Sequence, residues 1–520
     1  MRRREFFKYA TASLATPFLF QGQWINAMAN TSVFNGLSSL NTSRKLILIQ
    51  LNGGNDGLNM LIPITEYDKL ANARLNILIA KNQILKLTDE TGLHPSMPEL
   101  TKLYQKGMVQ FIQGVGYPNP NFSHFRSKDI VLTGSDSNVL VRTGWVGRMF
   151  GQQYPAYPAG YPNDAQPYPI ALTIGSTCSS ASQGEAANFS AAITNVSSSY
   201  TNAVANQIYP ATPFGKELQF ITKTMEQTGS YLSVIKAAAA KAKNLSALYP
   251  APGQNALADQ LKLVANLIAG GLQTQVYVVN LGGWDLHAGQ VTSENDKLTG
   301  AHPMLLSKLS KAIEAFQDDL RLMNKADETL GLVYTEFGRR IISNDSLGTD
   351  HGTTWPAIVF GSKINPGIIG NNPFIPSKVT ASDNLPMQND VRSIYASLFK
   401  QWFAVEDKDI VGILGKSFPQ IQVVYDGTGA SPISAGPVEN PKLWPNPVEN
   451  NAQLSFEGDG ELIEIRIYNL NGQWIENHPQ PAFPKGSRQI QLQLGHLRKG
   501  AYQLVLQKST GTETVRFVVM

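Results

Sequence analysis

Five short apolar runs separated by stretches of helical spacing constrain the fold more than any other feature of this chain. The runs are Lys45–Leu51, Met108–Val115, Gln275–Leu281, Thr329–Thr335 and Ala357–Phe360. A continuous apolar run of this length reads as a strand buried on both faces. The spacing between them predicts helices at Met97–Lys106, Glu217–Lys243, Gln254–Ile268, Pro303–Met323 and Asp390–Phe403. Strands alternating with helices imply an α/β domain, a mainly parallel sheet sandwiched by helices, over residues 44–418. No internal repeat interrupts the pattern.

Four of the runs end in polar, glycine-rich turns. Leu51 is followed by Asn52-Gly53-Gly54-Asn55-Asp56-Gly57, and Val115 by a loop carrying Ser123-His124-Phe125. Leu281 is followed by Gly282-Gly283-Trp284-Asp285-Leu286-His287, and Thr335 by Glu336-Phe337-Gly338-Arg339. In a parallel sheet all four emerge at one edge, outside the carboxyl ends of the strands, where open α/β proteins bind ligands.

The residue types there suit a metal. Asp285 and His287 are one residue apart, so both point to one side of an extended segment. Asp350-His351-Gly352 supplies a second carboxylate–imidazole pair, Glu336 a further carboxylate, and Asn55-Asp56 a further group in a tight turn. Carboxylate and imidazole suit Zn²⁺, Mn²⁺ or Fe²⁺. Seven histidines exist in the chain. His302 precedes a proline at an expected helix start and reads as a surface residue, and His94 reads as part of a turn. His124, His287 and His351 remain in strand-end segments, and His124 reads equally as a hydrogen-bonded structural histidine.

Composition excludes some classes. The formal charge of +4 includes Arg2, Arg3, Arg4 and Lys8 near the start. The rest is close to neutral, which gives no electrostatic basis for binding nucleic acid. Charged residues are 16%, low for a cytosolic enzyme. The single cysteine, Cys178, rules out an intrachain disulfide, and nothing near it lowers a thiol pKa.

Both ends read as addresses. Arg3-Arg4-Glu5-Phe6-Phe7-Lys8, a short apolar stretch and Ala27-Met28-Ala29 resemble a twin-arginine signal peptide over residues 1–29. No later segment supplies the roughly 18 apolar residues of a membrane helix. Residues 419–440 read as a linker rich in Gly, Ser and Pro. Over 441–520, Ile463, Ile465 and Ile467 alternate with polar residues, as do Ile490, Leu492 and Leu494, which predicts a small β-sandwich. Pro445-Asn446-Pro447, Ile467-Tyr468-Asn469-Leu470-Asn471-Gly472-Gln473 and Leu497-Arg498-Lys499-Gly500-Ala501-Tyr502 resemble the type IX secretion sorting domain of Bacteroidetes. That resemblance implies the type IX secretion machinery as a partner and a destination at the cell surface or outside the cell.

The central region resembles the bacterial domain of unknown function 1501 family. The string Leu48-Ile49-Gln50-Leu51-Asn52-Gly53-Gly54-Asn55-Asp56-Gly57-Leu58-Asn59 opens it. His94-Pro95, Ser123-His124-Phe125, Gly144-Trp145-Val146-Gly147-Arg148, Gly283 to His287, Thr335 to Arg340, Gly348 to Gly352 and Asp390-Val391-Arg392 follow in order. Position 52 is Asn where arginine is common. The family resembles the alkaline phosphatase and sulfatase superfamily. Carried over by order, that resemblance implies Asn55 or Asp56 as first metal ligand and Ser123 as nucleophile. It also implies Asp285 and His287 as a metal pair, Glu336 at the start of a further pair, and His351 as last ligand, with Asp350 a ligand or an orienting carboxylate. Phe337 stands where a second metal would need a histidine, so one divalent ion is expected. The context of a formylglycine sulfatase is missing around Ser123. Arg126, Arg339 and Arg340 are the guanidiniums available for ester oxygens, with Arg339 placed among the catalytic groups. Ser123 reads alternatively as a helix N-cap. The function implied is a metal-dependent hydrolase of phosphate or sulfate esters, acting on a small molecule or a glycan. The alternatives are a non-catalytic surface protein for binding or assembly, and a glycan-binding protein.

Overall fold

Lys45–Leu51 forms strand β1, buried along its whole length. Its side chains alternate between two cores. Ile47, Ile49 and Leu51 enter one, and Leu46 and Leu48 the other. Burial on both faces is why the run is apolar at consecutive positions. The computed structural model describes residues 43–196, 229–425, 441–444, 446–458, 464–469, 473–479, 486–508 and 511–520, with Thr212 and short pieces at 18–20 and 23–25. Most of the expected signal peptide and of the 419–440 linker lies outside these residues.

The other strands of the sheet are β2 (Val109–Gly116), β3 (Ala171–Ile174), β4 (Ser190–Ile193), β5 (Val276–Leu281), β6 (Thr329–Thr335), β7 (Trp355–Gly361), β8 (Gly367–Ile369) and β9 (Asn389–Asp390). Their order is β8-β2-β7-β6-β1-β5-β3-β4, with β9 also paired to β2. β1 pairs in parallel with β5 and β6, Leu46 lying between Val276 and Leu330. The sheet is parallel except for β7, which runs against both β6 and β2. The expected run Ala357–Phe360 is therefore a strand of the opposite sense. A doubly buried run looks the same in either direction.

Helices cover both faces. They are α1 (Tyr67–Arg74), α2 (Pro98–Gln105), α3 (His124–Thr133), α4 (Trp145–Gln153), α5 (Ala256–Ala269), α6 (Ala301–Leu322), α7 (Val391–Ser397) and α8 (Asp407–Leu414). Leu100 of α2, Leu261 and Val264 of α5, and Leu309 and Phe316 of α6 pack with Ile47 and Ile49. Ile130 of α3, Trp145 of α4, Ile394 of α7 and Ile413 of α8 pack with Leu46 and Leu48. Local signals fix the ends. Asn255 caps α5 through Ala258 N, Asp390 caps α7 through Arg392 N, and Gly134 in the left-handed region stops α3. Of the expected helix Glu217–Lys243, residues 229–241 are described as helical.

The C-terminal residues form a small all-β unit of two antiparallel sheets. One contains Lys442–Trp444, Asn451–Gly458 and Gly486–Gln493, and the other Glu464–Asn469, Trp474–Pro479, Gly500–Lys508 and Gly511–Val519. Leu454, Ile465, Ile467, Leu492, Leu504 and Phe517 share its core, the alternation read from the sequence.

A buried polar block lies beside the turn after β1. Arg74 Nη1 donates to both oxygens of Asp56, at 2.8 and 2.9 Å, and Gln290 Nε2 donates to Oδ2 at 2.7 Å. His302 Nε2 and Asn55 Oδ1 are 3.0 Å apart. His302 is 1% exposed, which corrects its expected surface position, and His94 is buried with it. Burial, the largest influence, lowers the His302 pKa from 6.5 to about 4 against the pull of Asp56, with Arg74 and Arg339 adding to the fall.

Below pH 6.5 the unfolded chain takes up a proton at His302 that the folded chain refuses until about pH 4. Stability contributed above 6.5 is therefore lost as pH falls toward 4, by about 3 kcal/mol from this group. Thermal unfolding with a chelator present should show Tm falling through that window, with a shallower fall in His302→Gln. Equal slopes in the two proteins would exclude His302 as the source.

Candidate metal centre

Five segments meet at one edge of the sheet. β1, β2, β5 and β6 run the same way, so the segments after them emerge together. β7 runs the other way, so its amino end lies at that edge, and Thr349-Asp350-His351-Gly352, just before it, is delivered there too. A motif that precedes a strand and motifs that follow strands thus become neighbours.

Close backbone contact holds the segments. Gly53 has φ 126°, and a Cβ there would lie 2.3 Å from Asp285 N, so only glycine fits. Gly352 N donates to Gly338 O at 2.8 Å and Arg340 N to Asp350 O at 3.0 Å, pairing the Glu336 segment with the His351 segment. Thr349 N donates to Leu286 O at 3.1 Å, tying in the Asp285 segment.

Three imidazoles converge on Asp285, and each is anchored through Nδ1. His124 Nδ1 is 2.9 Å from Glu336 Oε1, and His287 Nδ1 is 3.1 Å from Asp350 Oδ1. His351 Nδ1 is 2.7 Å from the Phe122 carbonyl. A carbonyl or carboxylate oxygen only accepts, so each Nδ1 carries the proton and each Nε2 of a neutral ring presents a lone pair. Burial, the largest influence on His351, holds that ring below the usual imidazole range.

The Nε2 atoms face one another and the carboxylate. His287 Nε2 and His351 Nε2 are 2.9 Å apart. His351 Nε2 and His287 Nε2 lie 3.1 and 3.2 Å from Asp285 Oδ1, and His124 Nε2 lies 3.3 Å from Oδ2. His124 Nε2 is buried and has no hydrogen-bond partner among the described residues. Ligand atoms of His124, Asp285 and His351 all fall within 4.8 Å of one another, a group able to hold a metal ion. Lone pairs pointed at each other and at a carboxylate repel. A cation held by His124, Asp285 and His351 would relieve that repulsion, so these donors fit a divalent metal.

The groups behind these donors are built to orient them. Glu336 is 3% exposed, and Oε1 also accepts Gly53 N–H at 2.8 Å. Arg339 Nη2 donates to Asp285 Oδ1 at 2.8 Å, leaving Oδ2 on the His124 side. Burial, the largest influence, pushes the Asp285 carboxyl up, yet opposing contacts, the Arg339 hydrogen bond first among them, bring it down to about 2. Phe337 is fully buried, its ring 4.8 Å from His124 and 4.5 Å from His351 between centroids.

The structure brings together Asp285, His287, His351, Glu336 and Asp350 of the expected site, and adds His124. Glu336 and Asp350 contact ring nitrogens on the far side from the cluster. Asn55 and Asp56 are not brought into the group, a correction to their expected place. Arg74 and Gln290 take the Asp56 carboxylate, and Asn55 faces His302 and Met60. Arg126 is also drawn away, since its guanidinium binds Asp129 and the carbonyls of Ser137 and Val139. Arg339 is 2% exposed, and its donors go to Gly53 O, Gly54 O, Thr349 O, Trp284 O and Asp285. Arg340 lies over the Phe122 ring, 5.6 Å from its centroid, and its Nη1 has no hydrogen-bond partner among the described residues. Ser123 is exposed at the N-cap of α3, and its side chain makes no capping bond. His124 was ambiguous in the sequence because its anchor, Glu336, lies 212 residues away. Its place in the loop after a buried strand, shared with two other histidines, was the available signal.

Fold and site together define an α/β protein with a candidate metal centre at the carboxyl edge of its sheet. The chain belongs to the family described as protein of unknown function (DUF1501), which matches residues 43–414. Residues 442–520 match the secretion system C-terminal sorting domain. No curated protein matches the chain. Among solved structures it is similar to an alkaline phosphatase superfamily protein from Vibrio parahaemolyticus, at 11% identity and TM-score 0.32, covering 95% of this chain and 89% of that one. It is also similar to the PsFucS1 sulfatase from Pseudoalteromonas sp., at 11% and 0.33, covering 89% and 86%. A phosphonate monoester hydrolase from Silicibacter pomeroyi gives 9% and 0.30, covering 91% and 89%. Overlaps at these TM-scores carry no argument about activity. Among the described residues no helix is long and apolar enough to cross a membrane.

Elemental analysis of purified protein after exposure to Zn²⁺, Mn²⁺ or Fe²⁺ checks the centre. The wild type should retain about one ion per chain, and His124→Ala or His351→Ala should lose most of it. Glu336→Gln should weaken retention about 10–100-fold without abolishing it, the scale for groups that orient metal-bound histidines. Retention untouched by all three substitutions would place the ion elsewhere.

Proposed function

We propose that this chain is an exported, metal-dependent hydrolase of phosphate or sulfate esters, with a single divalent ion at the His124–Asp285–His287–His351 cluster. One observation carries the reading: ligand atoms of His124, Asp285 and His351 lie within 4.8 Å of one another, His287 Nε2 lies 2.9 Å from His351 Nε2, and each ring is locked from behind. Three imidazoles and a carboxylate suit Zn, Mn or Fe. Asp285 and His287 side chains are nearly half exposed, so a ligand can reach the cluster. A divalent ion held there supplies Lewis acidity, polarising an ester oxygen and easing loss of a proton from a hydroxyl or water.

The chain's own residues do the rest. Glu336, Asp350 and the Phe122 carbonyl keep the rings in one tautomer. Arg339 keeps Asp285 ionised and fixes one of its oxygens, so its part is positioning. Ser123 is the nucleophile in this reading, since its side chain is exposed beside His124 and makes no capping bond. The N-terminus of α3 favours negative charge near that hydroxyl. Arg340 is the guanidinium left to meet ester oxygens. Export by the twin-arginine route, then delivery by type IX secretion to the cell surface or beyond, rests on residues 2–29 and on the matched sorting domain.

A second reading is a non-catalytic surface protein for binding or assembly. The use of Arg126 and Arg339 on backbone carbonyls favours it, as does Phe337 beside the cluster.

Metal-loaded protein assayed with aryl phosphate, aryl phosphodiester and aryl sulfate separates the two. Turnover of at least one ester is expected, reduced to background in His351→Ala. Ser123→Ala should slow it about 100-fold or more, the scale on which a lost catalytic group registers. No turnover of any ester by fully loaded protein would leave the second reading standing.

A further inference from the structure

We infer that Lys128, held by Asn52, is a second cation, besides Arg340, that recognises the anionic group of the substrate. The inference rests on the reading above and names a contact that reading lacks. Lys128 stands four residues after His124 on α3, so the two share one face of the helix. Helical side chains lean toward the N-terminus, which carries the Lys128 stem toward the turn that holds His124.

The ammonium is tied to the site. Lys128 Nζ donates to Asn52 Oδ1 at 2.9 Å. Asn52 is the first residue past β1, and its neighbour Gly53 gives its N–H to Glu336 Oε1. That same oxygen receives His124 Nδ1. Ammonium, amide, carboxylate and imidazole therefore form one chain of contacts ending at the metal cluster.

Charge completes the case. Arg339, Arg126 and Arg74 each have a carboxylate at hydrogen-bonding distance. Among the described residues Lys128 forms no ion pair; its contact is a neutral amide. An ammonium has three donors, and the amide takes one. The others remain for an oxyanion. Asn52 orients the ammonium without cancelling its charge, which an aspartate at that position would do. A half-buried cation with no counter-charge among the described residues, one helical turn after His124, fits the non-bridging oxygens of a phosphate or sulfate group.

The test is calorimetric titration of the full chain with inorganic phosphate and, separately, inorganic sulfate, before and after metal loading. Lys128→Met should weaken the preferred anion about tenfold or more, the scale of a lost charge-assisted hydrogen bond. Asn52→Asp should weaken it in the same direction by adding a counter-charge. Lys128→Arg should keep most of the affinity, and metal retention and Tm should stay as in the wild type in all three. Anion affinity unchanged in both Lys128→Met and Asn52→Asp overturns the inference, as does wild-type protein that binds neither anion. Failure of the metal reading is separate: the wild type would then retain no metal, while the effect of Lys128 on anion affinity is still read in the unloaded protein.

Discussion

The site depends on the hydrogen bonds that fix three imidazoles through Nδ1. Glu336, Asp350 and the Phe122 carbonyl each take one ring proton. Without them the rings could turn or change tautomer, and the three Nε2 atoms would not face the Asp285 carboxylate. Everything else at this edge follows from that requirement. Glu336 must be buried and held, so Gly53 gives it an N–H. Asp285 must stay charged, so Arg339 donates to it. Arg339 in turn is held by four backbone carbonyls, which leaves it rigid and makes it part of the scaffold.

That arrangement needs segments that are far apart in the chain, and the topology provides them. Parallel strands send the turns after β1, β2, β5 and β6 to one edge. The antiparallel β7 brings in His351 from the opposite sense. A parallel β7 would carry Thr349–Gly352 to the other end of the sheet. Glycines let the backbones come close enough for the contacts to form. Gly53 lies against Asp285 N, and a Cβ at Gly352 would lie 2.3 Å from the Arg339 carbonyl carbon. The buried Asp56–Arg74 pair ties the β1 turn to α1 and, through Arg74, to the Arg340 and Ile341 carbonyls.

Much of this was legible in the sequence. Buried strands announce themselves as apolar runs, and five of them placed the sheet. The polar residues just past them placed Asp285 and His287 at one edge, whereas His351 precedes its strand and reaches that edge through the direction of β7. What failed was legibility over distance. Asp56 looked like a ligand because Arg74, which takes its carboxylate, lies on a helix with no marked apolar face. Glu336 looked like a ligand, and Asp350 like either a ligand or an orienting carboxylate, because a carboxylate behind a histidine and one beside a metal have the same signature. His302 looked superficial because the Pro303 start of its helix resembles any exposed helix start. The direction of β7 left no mark at all, and β3, β4, β8 and β9 are too short to show a period. Lys128 carried no signal either, since one lysine on a helix reads as solvated until its amide partner is known.

The most direct measurement of the central claim is X-ray absorption at the edge of the retained metal, on the wild type and on His124→Ala. The account predicts a first shell of nitrogen and oxygen with about three imidazoles in the wild type, and one imidazole fewer in the residual metal of the variant. An ion bound through oxygen alone, or a histidine count unchanged by removing His124, would contradict it.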